Sequence, residues 1–138
     1  MTGRQIIITT EDYRRLEALL SSKRALIIGG SARLVGLQAE LSRAHVVPQN
    51  SVPEDVVTMN STVTVRDLDT GDADTYTLVY PERADIANNM LSILAPIGTA
   101  ILGYRIGDEL RWRVPEGWRR LRVESVIYQP ERAGEFHL

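Results

Sequence analysis

Acidic side chains are the first candidates for chemistry. Asp67, Asp69, Asp72 and Asp74 crowd around Thr70-Gly71. Such carboxylates suit calcium, but the EF-hand spacing and its closing glutamate are absent, and a solvated hairpin tip accounts for them. Glu82, Asp85 and Asp108 have the chemistry of a general acid and base, yet nothing in the linear order brings them together. Ile27-Ile28-Gly29-Gly30-Ser31 has the look of a strand feeding a glycine turn and a helix, the geometry that cradles phosphate. Its spacing fits neither glycine-rich nucleotide pattern, and a flexible helix–helix link reads better. Two histidines, His45 and His137, cannot build a multi-histidine metal site. The absence of cysteine removes disulfides, thiolate zinc and thiol nucleophiles. Trp112 and Trp118 flank Pro115-Glu116-Gly117 as a stacking pair for bases or, for at least one of them, as core or interface. No catalytic residue, cofactor or metal ligand is assigned from these residues.

The elements that must position these residues change character near residue 48. Before it the spacing is helical. Thr9 stands as an N-cap with an acid, Asp12, three residues on, and Tyr13, Leu16, Leu19 and Leu20 share one face. A second helix starts at Ser31, carries Leu34, Leu37, Leu41 and Ala44, and ends at Pro48. Two helices of about three turns joined by a short link predict an antiparallel hairpin, too short to stand alone in water. Residues 48–55, rich in proline and polar side chains, form a linker.

Beyond the linker the pattern alternates. Ser61–Arg66 and Thr75–Tyr80 predict two strands around a turn at Asp69–Asp72. Glu109–Val114 and Arg120–Tyr128 predict two more. Between the pairs, Pro96–Leu102 predicts a short helix that Pro96 can start and Gly103 can stop. The expectation is an α+β fold: a helical hairpin (coiled coil) over 1–48, and an antiparallel sheet domain with a short helix over 49–138.

Bulk properties narrow the function. The chain has 138 residues, 43% hydrophobic and 25% charged, near the globular average. No apolar run approaches a membrane span, and the run after Met1-Thr2-Gly3-Arg4 stops at Ile8, too short for a signal peptide. A cytoplasmic, monomeric protein without a membrane contact is expected. The net charge of −2 divides into +3 for residues 1–50 (seven basic, four acidic) and −5 for 51–138 (nine basic, fourteen acidic). The acidic larger part argues against stable nucleic-acid binding by the chain on its own.

One run carries a resemblance. Ser92-Ile93-Leu94-Ala95-Pro96-Ile97-Gly98-Thr99-Ala100-Ile101-Leu102-Gly103, followed by Gly107-Asp108, resembles the C-terminal domain of the Gre transcript-cleavage factors throughout, with Ala84-Asp85 preceding it. Asp55–Ser61, Thr77–Pro81 and the ending Tyr128–Leu138 resemble the short Rnk-type branch of that family. The resemblance implies an FKBP-like C-terminal domain and a partner, RNA polymerase, met at the rim of its secondary channel. Asp85, Ser92, Pro96, Gly98, Gly103, Gly107 and Asp108 would then define the fold or touch the partner. Gre factors carry paired acids at the tip of a long finger, where they help hold magnesium. Here the corresponding tip holds Lys23, Arg24, Leu26 and Ile27, and each helix reaches only about 20 Å. Cations there repel magnesium, so the expected role is regulation by occupancy rather than catalysis, with the tip as a partner-binding element. The alternative is an FKBP-like domain that binds a small molecule or peptide or acts as an isomerase. With a single phenylalanine, Phe136, an aromatic-lined pocket is hard to furnish.

Overall fold

A computed structural model describes residues 6–21, 37–114 and 117–135, without the side chains of 112–114. The chain is a mixed helix-and-sheet protein whose C-terminal part is rich in sheet. It opens with β1 (Ile7–Thr9) and α1 (Thr10–Leu20). Residues 37–42 are helical (α2) and lead into β2 (His45–Val47). β3 (Thr62–Asp67), β4 (Ala73–Val79), β5 (Met90–Ser92), α3 (Pro96–Ile101), β6 (Glu109–Val114), β7 (Gly117–Tyr128) and α4 (Pro130–Ala133) follow.

Local chemistry places many of these elements where the spacing predicts. Thr9 caps α1: its hydroxyl accepts the Asp12 N–H at 3.1 Å. Leu16, Leu37 and Leu41 are buried, so the apolar stripes face inward as a helical period requires. Pro96 opens α3 in the first turn, where its missing N–H costs nothing. In β3 the alternation is literal: Val63 and Val65 are buried between the partly exposed Thr62, Thr64 and Arg66. The turn after β3 closes through Gly71, whose N–H donates to the Asp67 carbonyl at a φ of +83°.

Three strands escape the periodic pattern. β1 and β2 pair in parallel, Ile7 opposite His45, with the His45 N–H donating to Ile6 at 2.7 Å. The second helix therefore ends before Ala44 rather than at Pro48, because Val46 and Val47 have β-branched stems that join a strand instead. β5, just before the predicted helix, fills a stretch for which no strand was expected. It lies parallel to β4, Leu78 opposite Leu91, so the sheet is mixed and not wholly antiparallel. Its strand order is β5-β4-β3-β7-β6. The Gly29-Gly30 link and the hairpin tip with Lys23, Arg24, Leu26 and Ile27 lie outside the described residues.

One buried cluster runs across the Pro48–Pro53 segment. Ile6, Ile8, Leu16, Leu37 and Leu41 meet Val57, Met59, Leu78, Tyr80, Ile93, Leu102 and the inner residues of β3 and β7. The first helices are thus held to the sheet by shared apolar burial, the dominant favourable term in folding.

Candidate functional site

The residues of the Ser92–Asp108 run meet around α3. Ser92 accepts the Leu94 N–H on its hydroxyl at 3.0 Å and the Ala95 N–H on its carbonyl at 3.0 Å, which turns the chain from β5 into α3. Thr99 donates its hydroxyl back to the Ile93 carbonyl at 2.6 Å. Gly98 sits where a Cβ would come within 2.3 Å of the Ser92 carbonyl oxygen and 3.1 Å of Leu78. No side chain fits there, so glycine sets how closely α3 approaches β5 and β4.

Gly103 does two jobs. Its φ is +81°, and a Cβ would lie 2.6 Å from the Cβ of Ile6. It donates to the Val57 carbonyl at 2.8 Å and accepts from the Ile7 N–H at 3.2 Å, so it locks β1 onto the end of α3. Gly107, at a φ of +91°, has open space around it and donates its N–H to the Val123 carbonyl at 2.8 Å. Asp108 follows and accepts the Arg105 N–H at 2.9 Å. Asp85 stands apart from α3. It exchanges backbone bonds with Met90, and its carboxylate accepts from the Asn88 amide at 2.6 Å. Every one of these groups has a structural task.

A second polar cluster was invisible in the linear order. Asp12 is 5% exposed although it sits in the first turn of a surface-type helix. Its carboxylate does not return to the Thr9 N–H as a capping box would. It accepts from the Met59 N–H at 3.1 Å and from the Tyr80 hydroxyl at 3.3 Å. The Arg15 guanidinium covers the Tyr80 ring, 4.2 Å from its centroid. Nearby, Thr58 donates its hydroxyl to Glu131 at 2.7 Å. Burial, with Glu131 as a further negative charge, pushes the Asp12 carboxyl up to about 7 despite the Met59 and Tyr80 donors and Arg15. Burial and the neighbouring Asp12 push the Tyr80 phenol upward as well. The acid that the sequence offers as a helix cap is instead the polar joint between α1 and the sheet.

The C-terminal segment closes this joint. Gln129 is fully buried and donates to the carbonyls of Pro53 and Val56, each at 2.8 Å. Its side-chain oxygen accepts the Arg132 N–H and so caps α4. Arg132 reaches the carbonyls of Glu54, Val126 and Ile127. Gln129 and Arg132 therefore clamp the end of the linker, from Pro53 to Val56.

The remaining candidates separate. Asp67 accepts from the N–H groups of Asp69 and Thr70 and pairs with Arg119 at 2.7 Å. Partial burial opposes its charge, but the Asp69 amide, Arg119 and the Thr70 amide together hold its carboxyl below the usual range. Asp69 binds Arg120. Among the described residues no group of acids or histidines is arranged to hold a metal ion. His45 is exposed on β2. Trp118 is 54% exposed, whereas His137 and the side chain of Trp112 lie outside the described residues. A groove of about 230 Å³ beside α3 is lined by Val65, Asp67, Asp74, Tyr76, Ile97, Arg119 and Leu121. Tyr76 is its one described aromatic. No described helix is long and apolar enough to cross a membrane.

The geometry agrees with relationships found by comparison. Residues 52–128 match the model of the C-terminal part of the GreA/GreB transcription elongation factors, and residues 4–47 match that of the Rnk N-terminus. The chain is 40% identical over 139 aligned positions to the regulator of nucleoside diphosphate kinase of Escherichia coli K12, covering all of both chains. It is 34% identical to the transcription elongation factor GreA of Nitratidesulfovibrio vulgaris, over 73% of this chain and 63% of that one. A solved GreA/GreB elongation factor from Nitrosomonas europaea superposes with a TM-score of 0.72 and 42% identity, over 90% of this chain and all of the other. With a matched sheet region, a matched N-terminal segment and a full-length relative, the chain belongs to the GreA/GreB transcription elongation factor family, in its Rnk branch.

Proposed function

We propose that this chain is a non-catalytic transcription regulator that binds RNA polymerase at the rim of the secondary channel and competes there with Gre-type cleavage factors. The observation that carries the reading is the joint match of the GreA/GreB C-terminal and Rnk N-terminal models along one chain. The sheet part, FKBP-like on this reading, docks at the rim, with the turn at Asp85 contributing to the contact. The segment before the linker, in which α1 and α2 are set on the β1–β2 pair, carries the hairpin tip and points inward on this reading. The Asp12 joint and the Gly103–Ile7 contact support a fixed angle between the two. The protein acts as a cytoplasmic monomer, and any influence on nucleoside diphosphate kinase arises through transcription. The small-molecule alternative draws no support from the groove beside α3, where Tyr76 is the one described aromatic.

In a backtracked elongation complex, saturating protein is expected to suppress transcript cleavage stimulated by a Gre factor and to stimulate none itself. Unchanged cleavage would refute occupancy of the channel. The tip separates charge from reach. Lys23→Asp combined with Arg24→Glu supplies acids but leaves the helices at about 20 Å. This double variant is expected to bind polymerase as the parent does and still to leave the transcript uncut. Cleavage by the double variant alone would show that charge, not length, is the limit.

A further inference from the structure

The side of the sheet turned away from α3 is open, and its composition is not that of an ordinary solvated face. On β7, Trp118 and Arg120 are exposed and Arg122 and Glu124 partly so, alternating with the buried Leu121 and Val123. Arg111 of β6 lies directly opposite Arg120, and Arg66 of β3 opposite Arg122. Like charges facing each other across strands are destabilising, yet the face has two such pairs side by side.

Carboxylates answer these cations unevenly. Glu124 is shared between Arg66 and Arg122, at 3.1 Å from each. Asp69 pairs with Arg120 at 3.3 Å. Arg111 lies over the Trp118 ring, 4.9 Å from its centroid, and Glu109 is the acid nearest along its strand. Exposed ion pairs of this kind hold their partners weakly, and a guanidinium has five donors to offer. Beyond them, Thr62 pairs through its hydroxyl with Thr77, and Thr64 with Thr75, at 2.9 Å each, extending a flat hydrogen-bonding floor.

We propose that this open face, centred on Trp118 with Arg111, Arg120 and Arg122, is a binding site for a single-stranded nucleic-acid segment. An exposed indole on a sheet provides a stacking surface for any base. The guanidiniums beside it bind phosphate through paired N–H groups. An anionic backbone bridging Arg111 and Arg120 converts a repulsive cross-strand pair into a favourable one. The site departs from the bulk-charge expectation of no nucleic-acid binding because Arg66, Arg111, Arg120 and Arg122 gather on this one face, against Glu109 and Glu124 on the same strands and Asp69 at the turn. It stands independently of the polymerase reading.

The test is fluorescence anisotropy of short labelled oligo-uridylate and oligo-thymidylate, titrated with the full chain at low salt. Oligo-uridylate and oligo-thymidylate are both expected to bind, in a salt-dependent manner, and a duplex of the same length to bind more weakly. Trp118→Ala should weaken binding about tenfold, and Trp118→Phe should recover most of it. Arg120→Ala should lower the slope of log affinity against log salt by about 0.7. Urea midpoints matching the parent confirm that the variants are folded. Absence of binding at low salt, or equal binding by Trp118→Ala, overturns the proposal. So does displacement of the oligonucleotide by poly-glutamate at equal charge concentration, which would instead mark the face as a site for an acidic protein segment.

Discussion

Replacing Asp12 by asparagine should abolish most of the pH dependence of stability between about pH 4 and 7 and make the protein more stable than the parent above that range. The carboxyl ionises near 3.8 when unfolded and near 7 when folded. Between those values the folded chain holds a proton that the unfolded chain has released. Stability contributed by this group is therefore greatest below pH 4, falls as pH rises, and is lost once pH passes 7. The slope approaches about 1.4 kcal/mol per pH unit at most, so the full effect is of the order of a few kcal/mol. Solvent screening removes little of it, since Asp12 is 5% exposed. Asparagine keeps an oxygen for the Met59 N–H and can donate to the Tyr80 oxygen, without a charge to desolvate. Asp12→Ala leaves both groups unpaired and should cost about 2–4 kcal/mol at acidic pH. Urea denaturation of parent and variants across pH gives the comparison, and subtracting the Asp12→Asn curve cancels the histidines. Parallel curves for parent and Asp12→Asn from pH 5 to about 8 would show that Asp12 does not titrate in this window. Glu131→Gln removes the neighbouring negative charge and should move the parent's transition to lower pH.

The second large effect is expected at two glycines. Gly98→Ala and Gly103→Ala should each cost about 2–4 kcal/mol, whereas Gly107→Ala should cost about 1–2 kcal/mol. At Gly98 the added methyl meets the Ser92 carbonyl at 2.3 Å. That is backbone, which cannot swing aside as a flexible side chain can. The usual gain in helix propensity from glycine to alanine, about 1 kcal/mol, is outweighed. At Gly103 a positive φ and a 2.6 Å approach to Ile6 act together. Gly107 has a positive φ but free space, so the backbone term acts alone there. Urea midpoints rank the three variants. Equal losses at Gly103 and Gly107 would mean that contact with β1 contributes nothing. A further signature belongs to Gly103→Ala: hydrogen exchange at the Ile7 amide should quicken, since that N–H donates to the Gly103 carbonyl.

How much of this was legible before folding depends on whether the cause is local. The N-cap at Thr9, the start of α3 at Pro96, the turn at Gly71 and the alternating strands β3, β4, β6 and β7 depend on residues within a few positions of one another. Their φ preferences, missing donors and period-two burial act wherever the chain is placed, and the run Ser92–Asp108 carried the family through the same local constraints. The three-residue strands β1, β2 and β5 were hidden for the opposite reason. A strand that short has no stability of its own and exists through a partner: for β1, one that begins 38 residues later, Ile7 opposite His45. The dual role of Gly103 was half visible. Its positive φ suits a helix stop, but its contact with Ile6 joins segments almost a hundred residues apart.

Asp12 shows the division most sharply. Its position after Thr9 determined that its N–H would be capped, and nothing nearby could tell where its carboxylate would turn. That depended on Met59 arriving from the turn before β3, Tyr80 from just past the end of β4, and Glu131 from α4. The open face of the sheet was likewise undecided: alternation grouped Arg120 and Arg122 on one side of the predicted strand, but only the structure extended β7 back to Gly117 to include Trp118 and put Arg111 opposite Arg120 and Arg66 opposite Arg122. Backbone preference is set by adjacent atoms and can be read along the chain. Burial and charge environment are sums over neighbours in space, and they exist once the chain has folded.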